Sequence, residues 1–465
     1  MFFLDIGNYG KIFLSGIGGS SMSSLAKILL LRGKKVCGSD MQQSESTDEL
    51  IKRGVAVYIG QSAENIANEM PDAVVKTEAV ADTNPEIVEA KNRGIPVFRR
   101  AELLGALLDG YEKTIGVAGT HGKTTTSSMI TSVFLASGLD FSAILGGHMK
   151  QIGDGYRIGE TNSVCAFESC EYKESYLFFK SDISVVLNIA PDHMEYFKTR
   201  ENLINSFKRY LKNTKPGGTV VYNAEDAASL EMIDGYEGNT ASFGIQKGRF
   251  HAKNIEMTKG RAAFDLYDGD RLMGNVRLAI PGEHNVKNAL AAAAACSVYG
   301  LDDDTVVKGL CNFAGDERRF EYHCVVNGAV VADDYGHHPD AYRVTFETAR
   351  AVGFKRIIAI HQPHTFSRTK MMMKEFAEVL STVDHVIVAP IYAARETNDL
   401  YNVSALDLVK LLPNAEYCET FEDIAKRVFE TAREGDLFIT LGCGDIYKAA
   451  KLIAKLNAEG GIIAE

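Results

Sequence analysis

The chain has 465 residues, of which 46% are hydrophobic and 24% are charged, and its formal net charge at pH 7 is −11. That length exceeds the size at which one hydrophobic core keeps growing, so we expect two or three domains. The acidic balance, without a dense Lys/Arg cluster, argues against a nucleic-acid partner, and no apolar run approaches the length of a membrane span. The first residues lack a basic leader, which predicts a cytoplasmic protein. The eight cysteines form no C-x-x-C pair, which predicts reduced thiols without a zinc site.

The residues before position 110 alternate predicted strands with helices. A strand at 12–15 runs into a glycine turn at 16–19, and a helix at 22–32 precedes a second strand that leads to Asp40. Such a turn lets a diphosphate reach a helix N-terminus, and an acid about twenty residues further on can bind a sugar or a base. The pattern predicts a nucleotide diphosphate site, with tight packing of a β-α-β crossover as the structural alternative.

The second unit opens at residue 113 and contains the most informative segment, Gly-Thr-His-Gly-Lys-Thr. Gly119 and Gly122 permit a tight turn whose backbone N–H groups face phosphate oxygens. Lys123 adds a positive charge, and the Thr124 hydroxyl is a ligand for Mg²⁺. Because the segment lies between a predicted strand and a predicted helix, it predicts a loop for the triphosphate of ATP rather than a chance Gly-Lys-Thr triplet.

Two side chains further along the second unit are candidate metal ligands. Glu168 ends one predicted strand, and His193 follows another. A carboxylate and an imidazole beside a triphosphate can bind one or two metal ions and neutralise the charge that develops in phosphoryl transfer. Taken singly, Glu168 is better explained as a salt-bridge partner and His193 as the first residue of a helix. The metal site therefore depends on the neighbouring loop.

The third unit places polar segments directly after two predicted strands. The first reads Asp-Asp-Tyr-Gly-His-His-Pro at 333–339, and the second reads Gln-Pro-His-Thr-Phe-Ser-Arg-Thr at 362–369. Neighbouring histidines on a loop seldom point the same way, so substrate orientation is favoured over a metal site. Arg368 is suited to a bidentate clamp on a carboxylate or phosphate, with a surface charge as the alternative.

Strands that alternate with helices indicate parallel sheets, whose ligands lie beyond the carboxyl ends of the strands. The predicted fold class is α/β, with three domains in series at 1–110, 111–314 and 315–465. The first and third domains are expected to be Rossmann-like. The central one is expected to be a P-loop-type ATPase domain with a mainly parallel sheet.

Taken together, the motifs resemble the Mur ligase family over nearly the whole chain. The segments that carry the resemblance are GIGGSSMSSLA (16–26), GSD (38–40), NPEIVEA (84–90), GTHGKTTT (119–126), FESCEY (167–172), LNIAPDHMEYF (187–197), PGEHNVKNALAA (281–292), ERRFEY (317–322), DDYGHHP (333–339), QPHTFSRTK (362–370) and PIYAARE (390–396). The segments DDYGHHP and QPHTFSRT point to the branch that adds alanine. The resemblance implies that ATP and Mg²⁺ are used to join L-alanine to the lactyl carboxylate of UDP-N-acetylmuramate through an acyl phosphate, in a monomer or homodimer that makes peptidoglycan precursors.

The same resemblance implies roles for individual residues. The UDP-sugar site would be lined by Gly18, Gly19, Ser20 and Asp40. The residues that would contact ATP are Gly119, Thr120, His121, Gly122, Lys123, Thr124, Thr125, His284, Asn285, Asn288 and Arg319. The Mg²⁺ ligands would be Thr124, Glu168 and His193. The amino acid would lie beside Tyr335, His338, Arg368 and Arg395. The candidates for catalysis are Lys123, Arg319, His338 and Arg368, with His338 orienting the amine of alanine or taking its proton.

The sequence departs from the family pattern in two places. Arg is common in the family where Thr365 stands, which leaves Arg368 as the expected carboxylate clamp. The segment ESCEYK keeps Glu168 and Glu171 but not the acid that the family often carries between them. Sibling ligases have a carbamylated lysine near the second metal, and Lys208 has a suitable position, but the alanine-adding branch is not expected to need it.

Other functions fit parts of the pattern. A sibling ligase that adds a tripeptide or a folate glutamate would share the phosphate loop, but the segments at 333–339 and 362–369 argue against it. A nucleotide-regulated binding protein would turn over ATP without an amide product. An oxidoreductase that binds NAD⁺ at the first glycine turn would have no use for Lys123 and Thr124.

Overall fold

The computed structural model describes residues 5–394 and 396–460, which form three sheets with helices between their strands. Their contacts fall into two compact units. One comprises the chain up to residue 254 together with 264–276 and 287–313, and the other comprises 255–263, 277–286 and the chain from 314 onward. Within the described residues, no helix is both long and apolar enough to cross a bilayer.

The first sheet has five parallel strands in the order β3-β2-β1-β4-β5. Its strands are β1 (Lys11–Ser15), β2 (Lys35–Asp40), β3 (Ala56–Ile59), β4 (Ala73–Lys76) and β5 (Val97–Arg99). Its helices are α1 (Ser20–Leu31), α2 (Glu45–Lys52), α3 (Ala63–Glu69), α4 (Pro85–Asn92) and α5 (Arg100–Leu108). The strand order reverses between β1 and β4, so the glycine turn after β1 lies at a switch point, where ligands of such sheets bind.

The central sheet has ten strands in the order β15-β14-β13-β12-β11-β10-β6-β9-β7-β8. Its strands are β6 (Lys113–Ala118), β7 (Ser142–Met149), β8 (Asp154–Arg157), β9 (Val164–Glu168), β10 (Ser181–Val186), β11 (Thr214–Asn223), β12 (Asn239–Phe243), β13 (Phe250–Thr258), β14 (Arg261–Asp268) and β15 (Arg271–Pro281). Its helices are α6 (Lys123–Ser137), α7 (Met194–Phe197), α8 (Arg200–Leu211), α9 (Ala227–Ile233), α10 (His284–Tyr299) and α11 (Asp303–Asn312). Strand β6 is parallel to both neighbours, β9 and β10, and almost entirely buried, so the phosphate loop follows an interior strand.

The last sheet has six strands in the order β16-β17-β21-β18-β19-β20. Its strands are β16 (Glu321–Val326), β17 (Ala329–Asp334), β18 (Arg356–His361), β19 (His385–Val388), β20 (Ala415–Tyr417) and β21 (Asp436–Leu441). Its helices are α12 (Pro339–Val352), α13 (Phe366–Met371), α14 (Met373–Leu380), α15 (Ala405–Val409), α16 (Phe421–Thr431) and α17 (Tyr447–Ala458). Only the edge strand β16 runs antiparallel, and the two polar segments of the sequence analysis follow β17 and β18.

A buried lysine connects the first sheet's helices to the central sheet. Lys27 of α1 is 4% exposed, and its ammonium lies 2.6 Å from Glu49 of α2 and 3.0 Å from Asp154 of β8. Burial lowers the pKa of Lys27, but hydrogen bonds to the two carboxylates outweigh it and raise that pKa. A charge buried in this way is tolerated because both partners are present, and removing one partner typically costs about 3–5 kcal/mol.

Helices α6 and α11 pack so closely that one contact admits only glycine. A Cβ on Gly309 of α11 would lie 2.3 Å from the Cα of Val133 in α6, and Ser132 donates a hydrogen bond to the Gly309 carbonyl at 2.8 Å. We expect Gly309→Ala to lower the free energy of unfolding by about 1–3 kcal/mol, because backbone must move to relieve the clash. Urea denaturation measures this, with Lys308→Ala on the exposed side of α11 as the control expected within about 0.5 kcal/mol of wild type.

Candidate functional site

The loop between β6 and α6 has a shape that requires glycine at two positions. Gly119 has φ +137° and Gly122 has φ +88°, both in the region that L side chains rarely adopt. A Cβ on Gly122 would lie 2.5 Å from Oδ1 of Asn288, which places this residue of α10 against the loop. Because the helix cap at Gly122 has no side chain, the first N–H groups of α6 have no cap from that residue and are suited to an anion.

The two residues between these glycines fasten the loop to the segment after β10. The Thr120 hydroxyl donates to the carbonyl of Ala190 at 3.1 Å and accepts from its N–H at 2.9 Å. The Asn188 side chain accepts from the His121 N–H and donates to the His121 carbonyl, both at 2.9 Å. These contacts hold the loop backbone in a fixed shape before a ligand arrives.

Lys123 begins α6 and is mostly buried, with 13% of its side chain exposed, beside a carboxylate that the sequence analysis did not include in the site. Its ammonium donates to the carbonyls of Gly119 and Thr120 at 2.6 and 3.1 Å, and it lies 2.9 Å from Oε2 of Glu171. Burial lowers the pKa of Lys123, but the charges of Glu171 and Glu168 outweigh this effect and raise that pKa, so the lysine is held as a cation.

The predicted metal ligands occur as two neighbouring sets. The Thr124 hydroxyl donates to Oε2 of Glu168 at 2.7 Å, which brings these two predicted ligands together. The third, His193, instead belongs to a group with Glu171 and Asp192, whose ligand atoms all lie within 4.8 Å of one another. We call Glu171, Asp192 and His193 the Glu171 cluster.

The Glu171 cluster fits a hard divalent cation. Glu171 is 2% exposed, and its Oε2 is a buried anionic oxygen whose cation in this structure is the Lys123 ammonium at 2.9 Å, without an aligned hydrogen bond from a described residue. Carboxylate oxygens with an imidazole match Mg²⁺ or Mn²⁺ better than soft metals. The Tyr172 ring lies 4.6 Å from the His193 ring and packs against it.

The first residues of α10 have different surroundings. Asn288 lies at the phosphate loop, whereas the Asn285 amide donates to the carbonyl of Pro281 at 2.7 Å. Burial, with a smaller effect of the nearby Arg319 charge, lowers the pKa of His284 to about 4, so this histidine is neutral at pH 7. A neutral imidazole can accept or donate a hydrogen bond, as contact with an adenine edge requires.

The glycine turn after β1 is shaped by a carboxylate from β2. The Gly18 N–H donates to Oδ2 of Asp40 at 2.9 Å, and a Cβ on Gly18 would lie 2.8 Å from Thr47. Gly19 is the N-cap of α1, and Ser20 is its first residue. Three of the predicted sugar residues therefore lie at a helix N-terminus, and the fourth, Asp40, contacts them from the end of β2.

The strands that lead to this turn contact a buried acid, Glu86, which the sequence analysis included only within a family motif. Glu86 of α4 is fully buried and accepts from the hydroxyls of Ser15 and Ser39 at 2.5 and 2.8 Å, and from the Asn65 amide at 2.8 Å. Ser15 is the last residue of β1 and Ser39 the last but one of β2, so Glu86 fixes both strand ends that support the turn. Its three donors account for a buried charge that would otherwise be unfavourable.

Of the two neighbouring arginines in the segment ERRFEY, which precedes and enters the last sheet, Arg318 makes internal structural contacts. Arg318 donates to Asp333 at 2.9 Å and to the carbonyl of Gly442 at 2.6 Å, and its guanidinium lies 4.9 Å from the Tyr335 ring centre and 4.6 Å from that of Tyr447. Arg319 next to it lies 5.5 Å from the Tyr335 ring centre. Arg318 therefore holds the segment that presents Arg319.

Arg368 of α13 lies in a polar cluster at the carboxyl ends of β17 and β18. Its Nη1 is buried without a hydrogen-bond partner among the described residues, and so is Nδ1 of His364. The ring centres of His364 and His337 are 6.4 Å apart. Burial, followed by the charge of Arg368, lowers the pKa values of His337 and His364 to about 3 and about 4. The cluster therefore carries one arginine charge beside two neutral histidines at pH 7.

The two neighbouring histidines have different contacts. His338, the predicted partner of the amine, caps α12, and its Nδ1 accepts from the Asp340 N–H at 3.3 Å. His337, which the sequence analysis did not select, faces His364 and the charge of Arg368. Because the two histidines are adjacent in the sequence and differ only in these contacts, sequence alone could not choose between them. The predicted Arg395 lies outside the described residues.

A buried histidine behind this cluster makes the stability of the last domain pH-dependent. His361 is 1% exposed and shares a 2.7 Å hydrogen bond with the Tyr342 hydroxyl, and burial lowers its pKa to about 3. The unfolded chain binds a proton near pH 6.5 and the folded chain does not, so stability is complete above that pH and is lost as the pH falls toward 3.

We expect His361→Phe to flatten the fall in unfolding free energy between pH 6.5 and 4, measured by urea denaturation at several pH values. Tyr342→Phe is the matched control, since it removes the same hydrogen bond but keeps the histidine that titrates. Its pH dependence should match wild type at lower overall stability. Equal slopes in the His361→Phe variant and wild type would contradict this assignment.

The parallel strands, the glycine loop and the buried lysine that follows it define an α/β protein built to bind a nucleotide polyphosphate. Sequence profiles agree. The Mur ligase family catalytic domain matches residues 11–112, the Mur ligase middle domain matches 117–296, and the Mur ligase glutamate ligase domain matches 318–444. The chain belongs to the Mur ligase family, as its motifs predicted.

Individual relatives cover almost the whole chain. The UDP-N-acetylmuramate–L-alanine ligase of Agathobacter rectalis is 40% identical over 461 residues, which are 98% of this chain and 100% of the relative. That of Clostridium kluyveri is 40% identical over 446 residues, 95% of this chain and 97% of the relative. The crystal structure of UDP-N-acetylmuramate-alanine ligase MurC from Thermotoga maritima is similar with a TM-score of 0.82 at 29% identity, covering 97% of this chain and 99% of the other. The three-domain α/β fold predicted from the sequence is confirmed.

A more distant neighbour has been solved with a nucleotide. MurF ligase from Thermotoga maritima in complex with ADP has a TM-score of 0.61 at 16% identity, and the match covers 91% of this chain and 95% of that one. At that identity the likeness shows the fold alone.

Proposed function

We propose that this chain is an ATP-dependent ligase that joins L-alanine to the lactyl carboxylate of UDP-N-acetylmuramate and releases ADP and phosphate. The observation that carries the proposal is 40% identity, over 98% of the chain, to a UDP-N-acetylmuramate–L-alanine ligase. The phosphate loop with its buried Lys123 supports it, because amide formation from a carboxylate needs a phosphoryl donor. We place this step in cytoplasmic peptidoglycan precursor synthesis.

The residues of the central domain would activate the carboxylate. The turn at Gly119 to Gly122 and the N-terminus of α6 would bind the phosphates of ATP, and Lys123 would stabilise the charge that spreads during phosphoryl transfer. Thr124 and Glu168 would hold one Mg²⁺, and His193 with its cluster would hold a second. When bound, these ions supply positive charge to the phosphate oxygens. The lactyl carboxylate would attack the γ-phosphorus to give an acyl phosphate.

The outer domains would hold the two substrates that become joined. The site that we assign to the UDP-sugar consists of the turn at Gly18, Gly19 and Ser20, together with Asp40 at the end of β2. In the last domain, the unpartnered Nη1 of Arg368 is suited to the carboxylate of alanine. Tyr335, His338 and Arg395 complete our assignment of the amino-acid site, to which we add His337. Arg319 would approach the γ-phosphate.

The attacking amine must be neutral, and His338 stays our candidate to orient it or to take its proton. Burial lowers the pKa values of His337 and His364 to about 3 and about 4, so these neutral imidazoles can accept a hydrogen bond from the amine but are too weakly basic to remove a proton from an ammonium. The amine would then attack the acyl carbon, the carbonyl would reform, and phosphate would leave. Exclusion of water around the acyl phosphate would prevent its hydrolysis.

A product assay tests this proposal. Purified protein is incubated with ATP, Mg²⁺, UDP-N-acetylmuramate and one labelled amino acid or peptide at a time, and both phosphate release and labelled UDP-sugar are followed. Alanine is expected to give stoichiometric phosphate and product. Glutamate and a tripeptide are the necessary comparison, because residues 318–444 match a profile named for glutamate ligation. Product with either of them but not with alanine would refute the assignment.

A further inference from the structure

The ammonium group of Lys123 has no donor to spare in this structure. An ammonium has three N–H bonds, and here they face the carbonyls of Gly119 and Thr120 and the carboxylate of Glu171. The distances are 2.6, 3.1 and 3.2 Å. A phosphate that binds to Lys123 must therefore replace at least one of these three acceptors.

Glu171 is the acceptor with a second use for its charge. The same buried carboxylate belongs to the Glu171 cluster, where its ligand atom lies within 4.8 Å of those of Asp192 and His193. The other two acceptors are backbone carbonyls of the proposed phosphate loop. Glu168, the other acid of this region, accepts a hydrogen bond from Thr124. Glu171 alone among the three acceptors lies between the lysine and a candidate cation site.

The backbone near Glu171 is held in place, so the side chain is the part that can move when a cation binds. Lys173 and Glu174, two and three residues later, have φ +48° and +59°, which non-glycine residues adopt only when their surroundings hold them there. Glu174 is fixed by hydrogen bonds from Ser206 at 2.7 Å and Tyr196 at 3.2 Å. A rearrangement at Glu171 therefore involves a movement of its carboxylate rather than of the backbone.

We propose that Glu171 couples cation binding to nucleotide binding, by holding Lys123 in the empty site and releasing it when a divalent cation takes over its carboxylate. The inference rests on the proposed nucleotide loop. A divalent cation in direct contact with a carboxylate competes strongly with one ammonium, because its charge is doubled and its ligand distance is shorter. Lys123 is then free to meet phosphate oxygens, and each ligand favours the other.

The experiment uses the full-length protein and measures each ligand without the other. In wild type and Glu171→Gln, Mn²⁺ binding is measured by electron paramagnetic resonance without nucleotide, and ADP binding is measured by calorimetry in EDTA. We expect Glu171→Gln to weaken Mn²⁺ binding about tenfold and to tighten cation-free ADP binding about fivefold. Glu112→Gln, at an exposed position just before β6 and at the opposite end of that strand from the loop, is the matched control expected to change neither affinity.

Opposite shifts in one variant distinguish coupling from a structural role. If Glu171→Gln weakens both ligands together, or changes neither, the proposal is overturned. Lys123→Met supplies the reciprocal test and decides the question if Glu171→Gln does not fold. Removal of the competing ammonium is expected to tighten Mn²⁺ binding about fivefold, and unchanged or weaker binding would overturn the coupling.

Failure of this inference is separable from failure of the proposed function. Neither measurement uses UDP-N-acetylmuramate or alanine, so the shifts in affinity report on Glu171 whatever amide the enzyme forms. Conversely, the wild-type protein could make the alanyl product while Glu171→Gln shows no opposite shifts in affinity. That result would refute the coupling alone and leave the ligase assignment intact.

Discussion

Lys123→Ala is expected to lower the rate of alanine ligation by about 10³-fold or more, while the affinity for UDP-N-acetylmuramate stays within about twofold of wild type. The ammonium is the one lysine charge on the phosphate loop, and it cannot be replaced by the N–H groups of α6, which carry only partial charges. The sugar turn after β1 belongs to a different sheet and keeps its own contacts to Asp40. Phosphate release gives the rate, and calorimetry with the sugar nucleotide gives the affinity.

A loss of folding must be excluded as the cause, because this substitution leaves Glu171 buried without its cation, a change that typically costs about 3–5 kcal/mol. Circular dichroism and thermal unfolding of the variant provide that check. Lys113→Ala is the matched control, since Lys113 starts β6 at the opposite end from the loop and is 60% exposed. Turnover near the wild-type value in Lys123→Ala would contradict the role of the loop.

Arg368→Lys is expected to raise the KM for alanine about 100-fold, with KM values for ATP and UDP-N-acetylmuramate close to wild type. Lysine keeps the positive charge but loses the planar pair of donors that bind both oxygens of a carboxylate. Two charged hydrogen bonds are worth about 3 kcal/mol, which corresponds to this change in affinity. Initial rates across alanine concentrations give the result.

Arg343→Lys on α12 is the control for Arg368→Lys, since this arginine is 45% exposed and pairs with Asp340. Its KM for alanine is expected to match wild type. The assignment of Arg368 would be refuted by a KM for alanine that does not move, or by a rise in the KM for ATP alone.

The strands that the sequence predicted correctly are those whose buried residues form continuous runs. Strand β1 is found within one residue of the predicted bounds, and β2, β17 and β18 are found directly before the segments that they were predicted to precede. Parallel strands buried on both faces need such runs, so the pattern is visible in one dimension. The sequence analysis did not predict β13, β14 and β15, although β14 alternates buried and more exposed residues in the manner of a strand with one covered face.

Within the candidate site, sequence reasoning could place the residues that lie together in one short segment. The loop glycines, Lys123 and Thr124 follow one another directly, so a strand, a turn and a helix start are enough to place them. Thr124 and Glu168, which come from different strand ends, were predicted together and are hydrogen-bonded in the structure.

The residues that sequence reasoning missed depend on tertiary packing. Glu171 was noted as an acid but not assigned to the site, because its contact with Lys123 joins residues that are 48 positions apart in the chain. The contact between His337 and His364 likewise joins two separate strand ends. Neither contact produces a hydrophobic periodicity or a residue spacing that can be recognised in the sequence.

The buried Lys27 has a consequence for exchanging parts between related enzymes. A border near residue 110 is convenient for making chimeras, yet the ammonium of Lys27 on one side of it needs Asp154 on the other. A chimera with an apolar residue at position 27 would leave Asp154 without its ammonium partner. A chimera without the acid at position 154 would leave the buried lysine without that carboxylate. Recombination at this border should therefore succeed only when the two positions are inherited as a pair.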